Sequence, residues 1–598
     1  MNTPLSKSYD TVRFTIMING SKINDRYPVM SISVENEINV VPKAEITLLD
    51  GDPATRDFLI SDSDDFKPGN MITISAGYDT GPETIIFEGM VSKQSISISG
   101  SSNSTINVSC KHVAVKMTFN ETDSAAFGNK TEDSIIQSIF SDKYNLNGTV
   151  QSLPEARQTQ QYMSSDWDFI MSRCDMFGLH LVFDGKDYSI KKPDLTVQPV
   201  FEVEYGVSML SFSSEINIEK QTPAITGTSW NTKDQKNIKV TANEPKLSQQ
   251  GNFNLQQLID AVETAPITLA ASTPMTQPVL QDWTDSQLLR TRLALIKGQT
   301  SFQGSAEVKP GSIIRLKGVG KKFNGDVYVS SVSHNISDGN WITNVSFGLE
   351  SSQPLSKKSN ISTTPANGQI PAAHGLQTAK VQSISNDPDS LFRVKVLLQS
   401  TEDEQAGLWA RLSTFYATSK NGSFFFPEIG DEVVIGFIDS DPRHPVILGS
   451  VYSDARNAAI TPPDDDNYVK QLSTNSNLKV YFNDQDKIIE ISTPAGNSIK
   501  LTEKDESILI VDQNQNSIKM SPDGIEISSC KDISMSAQGD IKVNADMSIN
   551  ITATTDLKGA GANVSMEADA QLTVTGQATA ELSSSGQTTV QGAIVMIN

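Results

Sequence analysis

The sequence predicts a mainly β protein made of several β-barrels followed by a repetitive carboxyl-terminal segment. Three observations predict this class. Short runs of alternating apolar and polar residues, separated by turn signals, fill residues 10–120, and similar runs return after residue 194. Five such runs lie close together in residues 375–456. From Ile525 onward an apolar, any, apolar triplet recurs about every eight residues. Alternation with a period of two is typical of a strand with one dry face.

Residues 1–125 are predicted to form a first β-barrel. The strand runs are VRFTIMI, AEITLLDGD, MITISAGYD, ETIIFEGMV and STINVSCKHVAVKM, and the turn dipeptide NG follows the first run. Short strands at this spacing, with turn residues between them, indicate a barrel or sandwich.

Residues 126–195 change character and predict a small α/β insertion. Thr131 is a candidate cap for a short helix that carries Ile135, Ile136 and Ile139. Ser165 and Asp168 form a capping box before a second helix, and Gly178 supplies a stop signal. The next residues, LHLVFDGKDYSIKK, predict a hairpin that turns near Asp184 and Gly185.

Residues 196–350 predict a second β-barrel with a variable loop. The stretch 194–242 reads as strands, whereas residues 243–280 are rich in Gln, Pro, Thr and Ala and predict a loop or insertion that could contact a partner. Thr284 and Gln287 form a capping box that predicts a helix with an apolar stripe. The stripe consists of Leu288, Leu289, Leu293 and Ile296. The runs SAEVKPGSIIRL, GDVYVSSVSHNI and WITNVSFGLE predict three further strands.

Residues 375–456 predict a small closed barrel with the geometry of an oligonucleotide-binding fold. Polar linkers flank it at residues 351–374 and 457–477. The five strands are AKVQSI, FRVKVLL, GLWARLST, DEVVIGFID and HPVILGSVY. No strip of basic and aromatic residues accompanies them, so we do not expect nucleic acid to bind here.

Residues 478–598 predict a needle formed by several copies of the chain. Its predicted core residues are Ile525, Ile527, Ile533, Met535, Ile541, Val543, Ile549 and Ile551. Small polar residues separate these pairs, so one strip cannot build a thick core and must meet other copies. We predict an intertwined trimeric β-prism, that is, a triple-stranded β-helix, in which some fourteen repeats give a length of roughly 65 Å. The alternatives are a single-chain β-solenoid, which usually needs longer rungs with larger inward residues, and a low-complexity adhesin stalk.

The composition excludes several classes of protein. The 598-residue chain has 70 acidic and 48 basic residues and a net charge of -22, which disfavours a nucleic-acid or anionic-membrane surface. Its three cysteines are too few and too scattered for a disulfide framework or a zinc site. The amino terminus has no signal-peptide pattern, and no stretch is long enough to span a membrane. We therefore expect synthesis in the cytoplasm and, if the protein is exported, a route other than general secretion.

Candidate catalytic and metal-binding residues have simpler explanations. The acidic cluster of Glu402, Asp403 and Glu404 could mimic a general acid and base. A glycosidase, however, needs two carboxylates held across a cleft, and consecutive residues in a polar turn point in different directions. The aspartates at 464–466 could suggest calcium, yet no Gly and Glu follow at the required spacing. The histidines are isolated, and no GxSxG pattern appears. We expect no catalytic residues, no metal and no cofactor.

The barrel region and two other stretches resemble the VgrG family, the valine-glycine-repeat spikes of type VI secretion systems and relatives of the baseplate spike of contractile phage tails. The barrel resemblance rests on Trp409, Arg411, Gly422, Phe426, Pro427, Gly430, Asp431, Glu432, Val433, Val434, Gly436, Phe437, Asp439, Asp441, Pro442, Pro445, Val446, Gly449, Ser450 and Tyr452. The stretches SDWDFIMSRCDMFGLHLVFDG and VSHNISDGNWITNVSFGLE are similar to the phage-hub half of the family. Trp409, Pro427, Gly430, Asp431 and Gly449 are the residues to which we assign a structural role in the barrel.

The resemblance implies a homotrimer whose residues 1–350 form a hub on an inner tube of stacked hexameric rings. It also implies baseplate wedge proteins around the hub, a PAAR-type protein at the tip, and secreted effectors as cargo. The protein would be assembled in a baseplate, would meet the target membrane only on puncture, and would reach the extracellular space or the target cell on contraction. An extracellular contractile injection system or a phage-like tail shares this plan and stays open as the alternative setting.

Two rival functions are less favoured by the sequence. An effector-bearing hydrolase spike needs an additional packed domain, and the roughly twenty residues between Tyr452 and the first needle strands cannot hold one. A phage-tail or surface-fibre adhesin is expected to end in an aromatic-rich receptor-binding head.

The last five residues are apolar except for Asn598. A chain end is normally exposed to water, and here it carries four apolar residues in a row. These are Ile594, Val595, Met596 and Ile597. In a trimer, three such ends would form an apolar plate on which a tip protein could dock. The simpler interpretation is that they form the last rung of the needle, and both interpretations can hold together.

Overall fold

The computed structural model describes most of the chain in two compact units. The described residues are 3, 11–79, 81–100, 104–121, 123–127, 130–153, 155–156, 159–231, 234–248, 250–271, 274–352, 365–368, 370–399, 407–460 and 465–597. The first unit is Met1–Val451 and the second is Tyr452–Asn598. Strands are the main regular element of both units, which confirms the mainly β prediction.

The first barrel region contains seven strands, and all except the short β2 alternate buried and more exposed residues. These strands are β1 (Val12–Ile18), β2 (Ser21–Lys22), β3 (Val29–Glu37), β4 (Lys43–Leu49), β5 (Met71–Tyr78), β6 (Thr84–Ser97) and β7 (Thr105–Lys111). They pair in the order β3, β4, β7, β6, β5, β1, β2. Ile46, Leu48, Phe66 and Ile74 are fully buried and lie in one apolar core. The strand β3 was not among the runs that the sequence singled out.

The insertion packs two helices against a three-stranded sheet. Its elements are β8 (Ala125–Ala126), β9 (Lys130–Thr131), α1 (Glu132–Ser138), β10 (Gly148–Val150), β11 (Glu155–Ala156), β12 (Gln160–Gln161), α2 (Asp166–Phe177), β13 (His180–Asp184) and β14 (Asp187–Lys191). The Ser165 hydroxyl accepts a 3.0 Å hydrogen bond from the Asp168 backbone N–H, and Gly178 ends α2 with a φ of 68°. The predicted cap, stop and hairpin are therefore present, whereas Thr131 precedes α1 without a capping hydrogen bond from its side chain.

The second barrel region interleaves strands with two helices. Its elements are β15 (Phe201–Glu204), β16 (Met209–Ile216), β17 (Ile225–Asn231), β18 (Lys236–Thr241), α3 (Leu255–Val262), β19 (Ile267–Ala271), α4 (Gln277–Leu293), β20 (Ile296–Gln303), β21 (Ile313–Lys317), β22 (Gly325–Ser337) and β23 (Asn340–Phe347). Strands β17, β18 and β19 form a separate three-stranded sheet against which α4 packs. Phe201, Phe302 and Val345 lie in the core of this region.

One long strand joins the two regions that were predicted as separate barrels. The 13-residue strand β22 pairs with β21 through its first residues and with β3 from Ser331 to Ser337. The result is a single 13-stranded sheet. A strand of this length can serve two regions because its two halves can offer the same edge to different partners.

Two expectations for the helix that follows residue 276 are wrong in detail. The segment 243–280, predicted to be a loop or an insertion, contains α3 and β19. The helix α4 begins at Gln277 rather than after Thr284, because Pro278 occupies its first turn and the Thr284 hydroxyl donates to the Leu280 carbonyl inside the helix, 2.6 Å away. The helix ends at Leu293, so Ile296 begins β20 instead of completing a helical stripe.

The third region of the first unit is a closed five-stranded barrel. The strands after the second region are β24 (Gln377–Ser383), β25 (Val394–Leu398), β26 (Leu408–Leu412), β27 (Ala417–Thr418), β28 (Asn421–Gly422), β29 (Glu432–Phe437) and β30 (Pro445–Val451). The barrel order is β24, β25, β26, β30, β29, and β27 and β28 form a small hairpin. All five runs predicted from the sequence are present as barrel strands. Val381, Val396, Val433 and Ile447 fill the interior.

The second unit contains a seven-stranded antiparallel sheet in which each strand pairs with its neighbour in sequence. The strands are β31 (Val469–Ser473), β32 (Lys479–Asn483), β33 (Ile488–Ser492), β34 (Ser498–Thr502), β35 (Ser507–Val511), β36 (Ser517–Ser521) and β37 (Gly524–Ser528). The sheet thus begins inside the predicted linker 457–477. The described residues after Ser528 form no strand and no helix within this chain. Among all described residues, no helix is both long enough and apolar enough to cross a bilayer.

Candidate assembly surfaces

The sheet β31–β37 carries two columns of apolar side chains on one face. Each strand from β32 to β37 contributes two apolar residues separated by one residue, and the cross-strand register places them opposite one another. One column is Leu472, Val480, Ile491, Ile499, Ile510, Ile518 and Ile527. The other is Phe482, Ile489, Leu501, Ile508, Met520 and Ile525. These thirteen residues are called the apolar columns below.

The opposite face of the same sheet is mainly polar. Its central positions are Gln471, Tyr481, Glu490, Lys500, Leu509, Lys519 and Glu526. Glu490 lies opposite Lys500, and Lys519 lies opposite Glu526, so opposite charges face each other across neighbouring strands. The sheet is therefore amphipathic, with one face suited to water and one suited to burial.

Among the described residues, nearly all side chains of the apolar columns are more than one-third exposed. Ile491 is 52% exposed and Ile499 is 43% exposed, although both lie in the interior of the sheet. A contiguous apolar surface built from thirteen large side chains is more than a soluble monomer usually exposes. This face consequently has the character of an interface.

The segment after Ser528 exposes the remaining predicted core residues of the needle. Ile533, Met535, Ile541, Val543, Ile549 and Ile551 are each more than half exposed. Ile525 and Ile527 lie in β37 and are 71% and 58% exposed. The backbone of residues 529–597 forms no strand pairs within the described chain, and backbone N–H and C=O groups require partners when they are removed from water. Interwinding with other copies stays a prediction for this segment.

The pairing of β31–β37 within one chain was missed in the sequence. The sequence did contain a signal for this local pairing, because short turn sequences separate the apolar pairs. These turn sequences are NDQDK, TPAGN, EKDE, QNQN and SPDG. These turns place strand starts about nine or ten residues apart, a longer step than in the later repeats. A change of period therefore marks the boundary between strands that pair locally and the unpaired segment.

The exposed chain end agrees with either interpretation of its role. Ile594, Met596 and Ile597 are at least 80% exposed, and Val595 is 47% exposed. Asn598, the fifth predicted docking residue, lies outside the described residues. Docking of a tip protein on this end stays a prediction.

Two of the five predicted structural residues of the barrel, Gly430 and Asp431, lie in the turn before β29. Gly430 has a φ of 91° and its N–H donates to the Val381 carbonyl at 2.8 Å. The Asp431 carboxylate accepts from the Glu428 N–H at 2.9 Å, and the Val381 N–H donates to the Asp431 carbonyl at the same distance. Together, Gly430 and Asp431 attach the start of β29 to β24 and so help to close the barrel.

The structure gives weaker reasons for the residue types at Trp409, Pro427 and Gly449. Trp409 lies half-buried in β26 opposite Lys395, and Pro427 is half-buried before the Gly430 turn. Gly449 lies opposite Val434, and a Cβ added to it would meet no atom within 4 Å. Nothing in the described chain explains a glycine at position 449.

Three histidines of the first unit are buried and hydrogen-bonded. His112 accepts from the Ala114 N–H, His180 contacts the Tyr328 hydroxyl at 2.5 Å, and His334 contacts the Thr343 hydroxyl at 3.0 Å. Burial lowers the pKa of His112 and of His334 to about 4 and the pKa of His180 to about 3, because the charged imidazolium loses hydration. These are structural positions for neutral imidazoles.

The acidic groups that were considered as candidate sites are only partly described. Glu402, Asp403, Glu404 and Asp464 lie outside the described residues. Within the described part of the chain, no group of three or more His, Cys, Asp and Glu side chains is arranged to hold a metal ion.

Residues 8–338, more than half of the 598-residue chain, match the family described as the Alg8 N-terminal domain. The chain belongs to this family. Residues 377–452, which include all five strands of the closed barrel, match the type VI secretion system/phage-baseplate injector OB domain. The first match therefore spans strands β1 to β22 and helices α1 to α4, and the second match spans the closed barrel.

Characterised relatives match this family member over a short stretch. The type VI secretion system spike protein VgrG1a of Pseudomonas aeruginosa is 34% identical over 91 residues, which is 14% of this chain and 14% of the relative. The spike protein VgrG3 of Vibrio cholerae is 34% identical over 80 residues, 13% of this chain and 8% of the relative. The chain thus spans about one seventh of the length of the first relatives that it matches. These matches confirm the resemblance to VgrG spikes that the motifs indicated.

The solved structures that this chain matches include phage-tail and secretion proteins. A tail protein of Neisseria meningitidis is 10% identical with a TM-score of 0.43, and the match covers 57% of this chain and 97% of that one. An Escherichia coli component of the type VI secretion system is 13% identical with a TM-score of 0.36, and the match covers 73% and 100% of the two chains. A Francisella PdpA–VgrG complex is 10% identical with a TM-score of 0.37, covering 88% and 81%.

Proposed function

We propose that this protein is the homotrimeric spike and baseplate hub of a contractile injection apparatus of the type VI secretion kind. The observation that carries the proposal is the exposed pair of apolar columns on β31–β37, followed by a repetitive segment without strand partners in its own chain. Three copies would bury the columns against one another and would supply strand partners to residues 529–597. The matches to the VgrG spikes and to the injector OB domain support this assignment.

The proposed action is mechanical rather than enzymatic. Force from the sheath would reach the region of the two barrels through a hexameric inner tube and would pass along three associated chains to a narrow tip. Ladder hydrogen bonds between chains would have to break together for one chain to separate, so the assembly should come apart slowly. Baseplate wedge proteins, a PAAR-type tip protein and secreted effectors are the proposed partners, and the target membrane is met only during puncture.

Sedimentation analysis of the full-length protein tests the trimer. We expect a mass near three times the 64.9 kDa of one chain at micromolar concentration. The substitution pair Ile499→Gln and Ile510→Gln replaces directly opposed residues of one apolar column and should shift the protein towards the monomer. A stable, compact monomer of the unmodified chain would contradict the proposal.

A matched control lies on the other face of the same two strands. Lys500 and Leu509 also oppose each other, one residue along from Ile499 and Ile510. The pair Lys500→Gln and Leu509→Gln should leave the oligomeric mass unchanged, because these side chains point away from the apolar columns. If both double variants lose the trimer equally, the loss reflects general disruption of β34 and β35 and not removal of the apolar face.

A secretion assay tests the function in the cell of origin. Deletion of the gene should abolish release of the inner-tube protein into the culture medium, and the unmodified gene should restore it. The Ile499→Gln and Ile510→Gln variant should fail to restore release, whereas the Lys500→Gln and Leu509→Gln variant should succeed. Normal release of the inner-tube protein by the deletion strain would show that this protein is not an essential spike.

A further inference from the structure

The closed barrel carries an apolar groove of about 590 Å³ beside its β27–β28 hairpin, called the aromatic groove below. Four aromatic residues of its lining are each more than half exposed, namely Phe392, Tyr416, Phe424 and Phe425. Among the described residues of the lining, Lys420 is the only charged one. A groove for single-stranded nucleic acid combines aromatic residues with a track of positive charge, so this lining does not fit such a ligand.

Hydrogen bonds fix the backbone that presents these aromatic side chains. The Ser423 N–H donates to the Tyr416 carbonyl at 2.9 Å and so extends the hairpin beyond β27 and β28. Before β25, the Asp387 carboxylate accepts from the Arg393 N–H at 3.2 Å and from the Arg393 guanidinium at 2.6 Å. Phe392, next to Arg393, has a φ of 56°, which is unfavourable for a bulky residue unless its surroundings impose it. The exposed aromatic residues are therefore held in a defined arrangement.

The exposed aromatic area is close to that of one side of a specific protein interface. An aromatic side chain contributes about 150–250 Å² when it is buried completely, so the four residues offer on the order of 500 Å². A standard interface buries about 800 Å² on each partner. Phe415, which precedes Tyr416, is 89% exposed and adds to the available area. The aromatic groove is thus large enough to contribute most of one side of a protein–protein contact.

A second apolar surface lies on the outside of β29 and β30 and is called the aliphatic face below. Leu376 and Leu448 are more than half exposed, and both lie within 4 Å of the place that a Cβ on Gly436 would take. Val434 lies opposite Gly449 on the same two strands. A Cβ on Gly449 would meet no atom within 4 Å, so an aromatic side chain of another molecule has room to approach the backbone there.

A short link joins each closed barrel to the sheet that carries the apolar columns. Strand β30 ends at Val451 and β31 begins at Val469, so residues 452–468, 17 in number, connect them. A fully extended chain of this length spans at most about 60 Å. The next step rests on the proposed function, because three chains joined through their apolar columns would hold three closed barrels at an effective concentration on the order of millimolar. A weak contact between barrels would then be occupied, which makes a second copy of this chain the occupant that the structure favours.

We propose that the aromatic groove of one copy binds the aliphatic face of the closed barrel in a second copy. The two surfaces consist of different residues, so the contact is heterologous, and three such contacts close a three-fold arrangement. Gly449 leaves space for an aromatic side chain of the neighbouring copy, which supplies a reason for glycine at this position. The closed barrels thereby add an interface between copies that is separate from the apolar columns.

Photocrosslinking of the full-length protein tests this contact. The photoreactive residue p-benzoylphenylalanine replaces Phe424 in one protein and, in the control protein, Leu59, which is exposed in the first barrel region. After irradiation and boiling in dodecyl sulfate, the protein altered at position 424 should give covalent dimer and trimer bands. Peptides from its dimer band should join position 424 to residues 434–449 of another copy, and the control protein should give no cross-link to residues 434–449.

Sedimentation of the same proteins separates this inference from the proposed spike. A trimeric mass without a cross-link between closed barrels, or with cross-links from position 424 to other regions only, would overturn the barrel contact and leave the spike in place. A monomeric mass would contradict both.

A substitution on the aliphatic face tests the contact from the other side. Gly449→Trp places a bulky side chain where a single chain has room for it, and it should lower the yield of the cross-link from position 424 about tenfold. The trimeric mass should persist, because the apolar columns are intact. Ser385→Trp, at an exposed position after β24, is the matched control and should leave the yield unaltered. An unaltered yield in Gly449→Trp would show that the aliphatic face is not the partner surface.

Discussion

At the scale of single residues, the contact between Gly304 and Trp341 is one of the tightest in the first unit. The Gly304 N–H donates to the Trp341 carbonyl at 2.8 Å, and a Cβ on Gly304 would lie 2.1 Å from the indole ring. Trp341 is 3% exposed and stacks on Tyr78. The ring therefore cannot move aside without disturbing the first core.

Substitution at this glycine should reduce stability measurably. Gly304→Ala is expected to lower the free energy of unfolding by about 1–3 kcal/mol, the usual cost of overpacking. Gly449→Ala, at a position where a Cβ meets open space, should change it by less than about 0.5 kcal/mol. Thermal unfolding of both variants beside the unmodified protein measures the difference. A larger effect at Gly449 would show that it has a role that a single chain does not reveal.

The three buried histidines predict a loss of stability in acid. Their pKa values fall from the usual 6.5 to about 4, 3 and 4 in the folded state, so the unfolded chain binds more protons between about pH 6.5 and pH 4. Stability contributed by the neutral imidazoles is therefore complete above pH 6.5 and is lost as the pH falls through this window. The melting temperature measured from pH 7 to pH 4.5 should decrease.

Variants distinguish these histidines from exposed ones. His334→Gln keeps a hydrogen-bonding side chain near Thr343 but removes the titrating ring, so it should make the decrease in melting temperature shallower between pH 6.5 and pH 4. His374→Gln, at an exposed position, should leave the slope unaltered. Identical slopes in all three proteins would mean that protonation of His334 does not contribute to the acid sensitivity.

At the scale of elements, a buried ion pair connects the insertion to the second barrel region. Arg290 on α4 donates to the Asp175 carboxylate on α2 at 2.8 Å, and both side chains are 6% exposed. The Ser286 hydroxyl donates to the Asp175 carbonyl nearby at 3.1 Å. The two helices are thereby held in one orientation.

Removal of one partner of this pair should be more harmful than removal of both. Arg290→Met leaves the Asp175 carboxylate buried without its cation, and we expect a loss of about 3–5 kcal/mol in unfolding free energy. The double variant Arg290→Met with Asp175→Asn should recover part of that loss. Chemical denaturation of the two single variants and the double variant measures the coupling, and purely additive losses would argue against a direct interaction.

How far the sequence predicts these elements depends on whether the deciding interactions are local. The α2 cap at Ser165, the Gly178 stop and the five strands of the closed barrel follow from local turn and capping residues, and all are present. The start of α4 was misplaced because Thr284 and Gln287 mimic a cap, whereas Pro278 and a buried back-bond decide the real arrangement. The shared strand β22 depends on pairing with β3, nearly three hundred residues away in sequence, and no local pattern reports such a partner.

The same reasoning separates the two parts of the candidate assembly surface. The alternation that produces the apolar columns is visible in the sequence, and so is the exposed chain end. In the sequence, the strand pairing is indicated only by the turn residues that separate the strands from β31 to β37. Residues 529–597 form no strand pairs within the described chain, so neither the sequence pattern nor a single chain defines their register.

At the scale of the whole molecule, the proposed trimer should resist separation by detergent. If three chains interwind, many ladder hydrogen bonds must break together, and we expect a trimer band in dilute dodecyl sulfate at room temperature that disappears on boiling. The Ile499→Gln and Ile510→Gln variant should lose this band at a lower detergent concentration. Ready appearance of monomer from the unmodified protein in dilute detergent would count against an interwound needle.

Docking of a tip protein is a second test at this scale. Deletion of residues 594–598 removes the exposed apolar chain end and should sharply weaken the pull-down of a PAAR-type candidate. The internal substitution Met547→Gln is a suitable control, since Met547 is 96% exposed and lies far from the end in sequence. Equal capture by the deletion variant would retire the docking role of the chain end.

The neighbour-by-neighbour pairing of β31–β37 has a consequence for biosynthesis. Each strand pairs only with its immediate neighbours in sequence, so this sheet has very low contact order and can grow hairpin by hairpin as it leaves the ribosome. Residues 529–597 have no such local route. We therefore expect the sheet to be complete on each nascent chain before the final segments of different chains meet, which would place the slow, concentration-dependent step of maturation at the very end of the polypeptide.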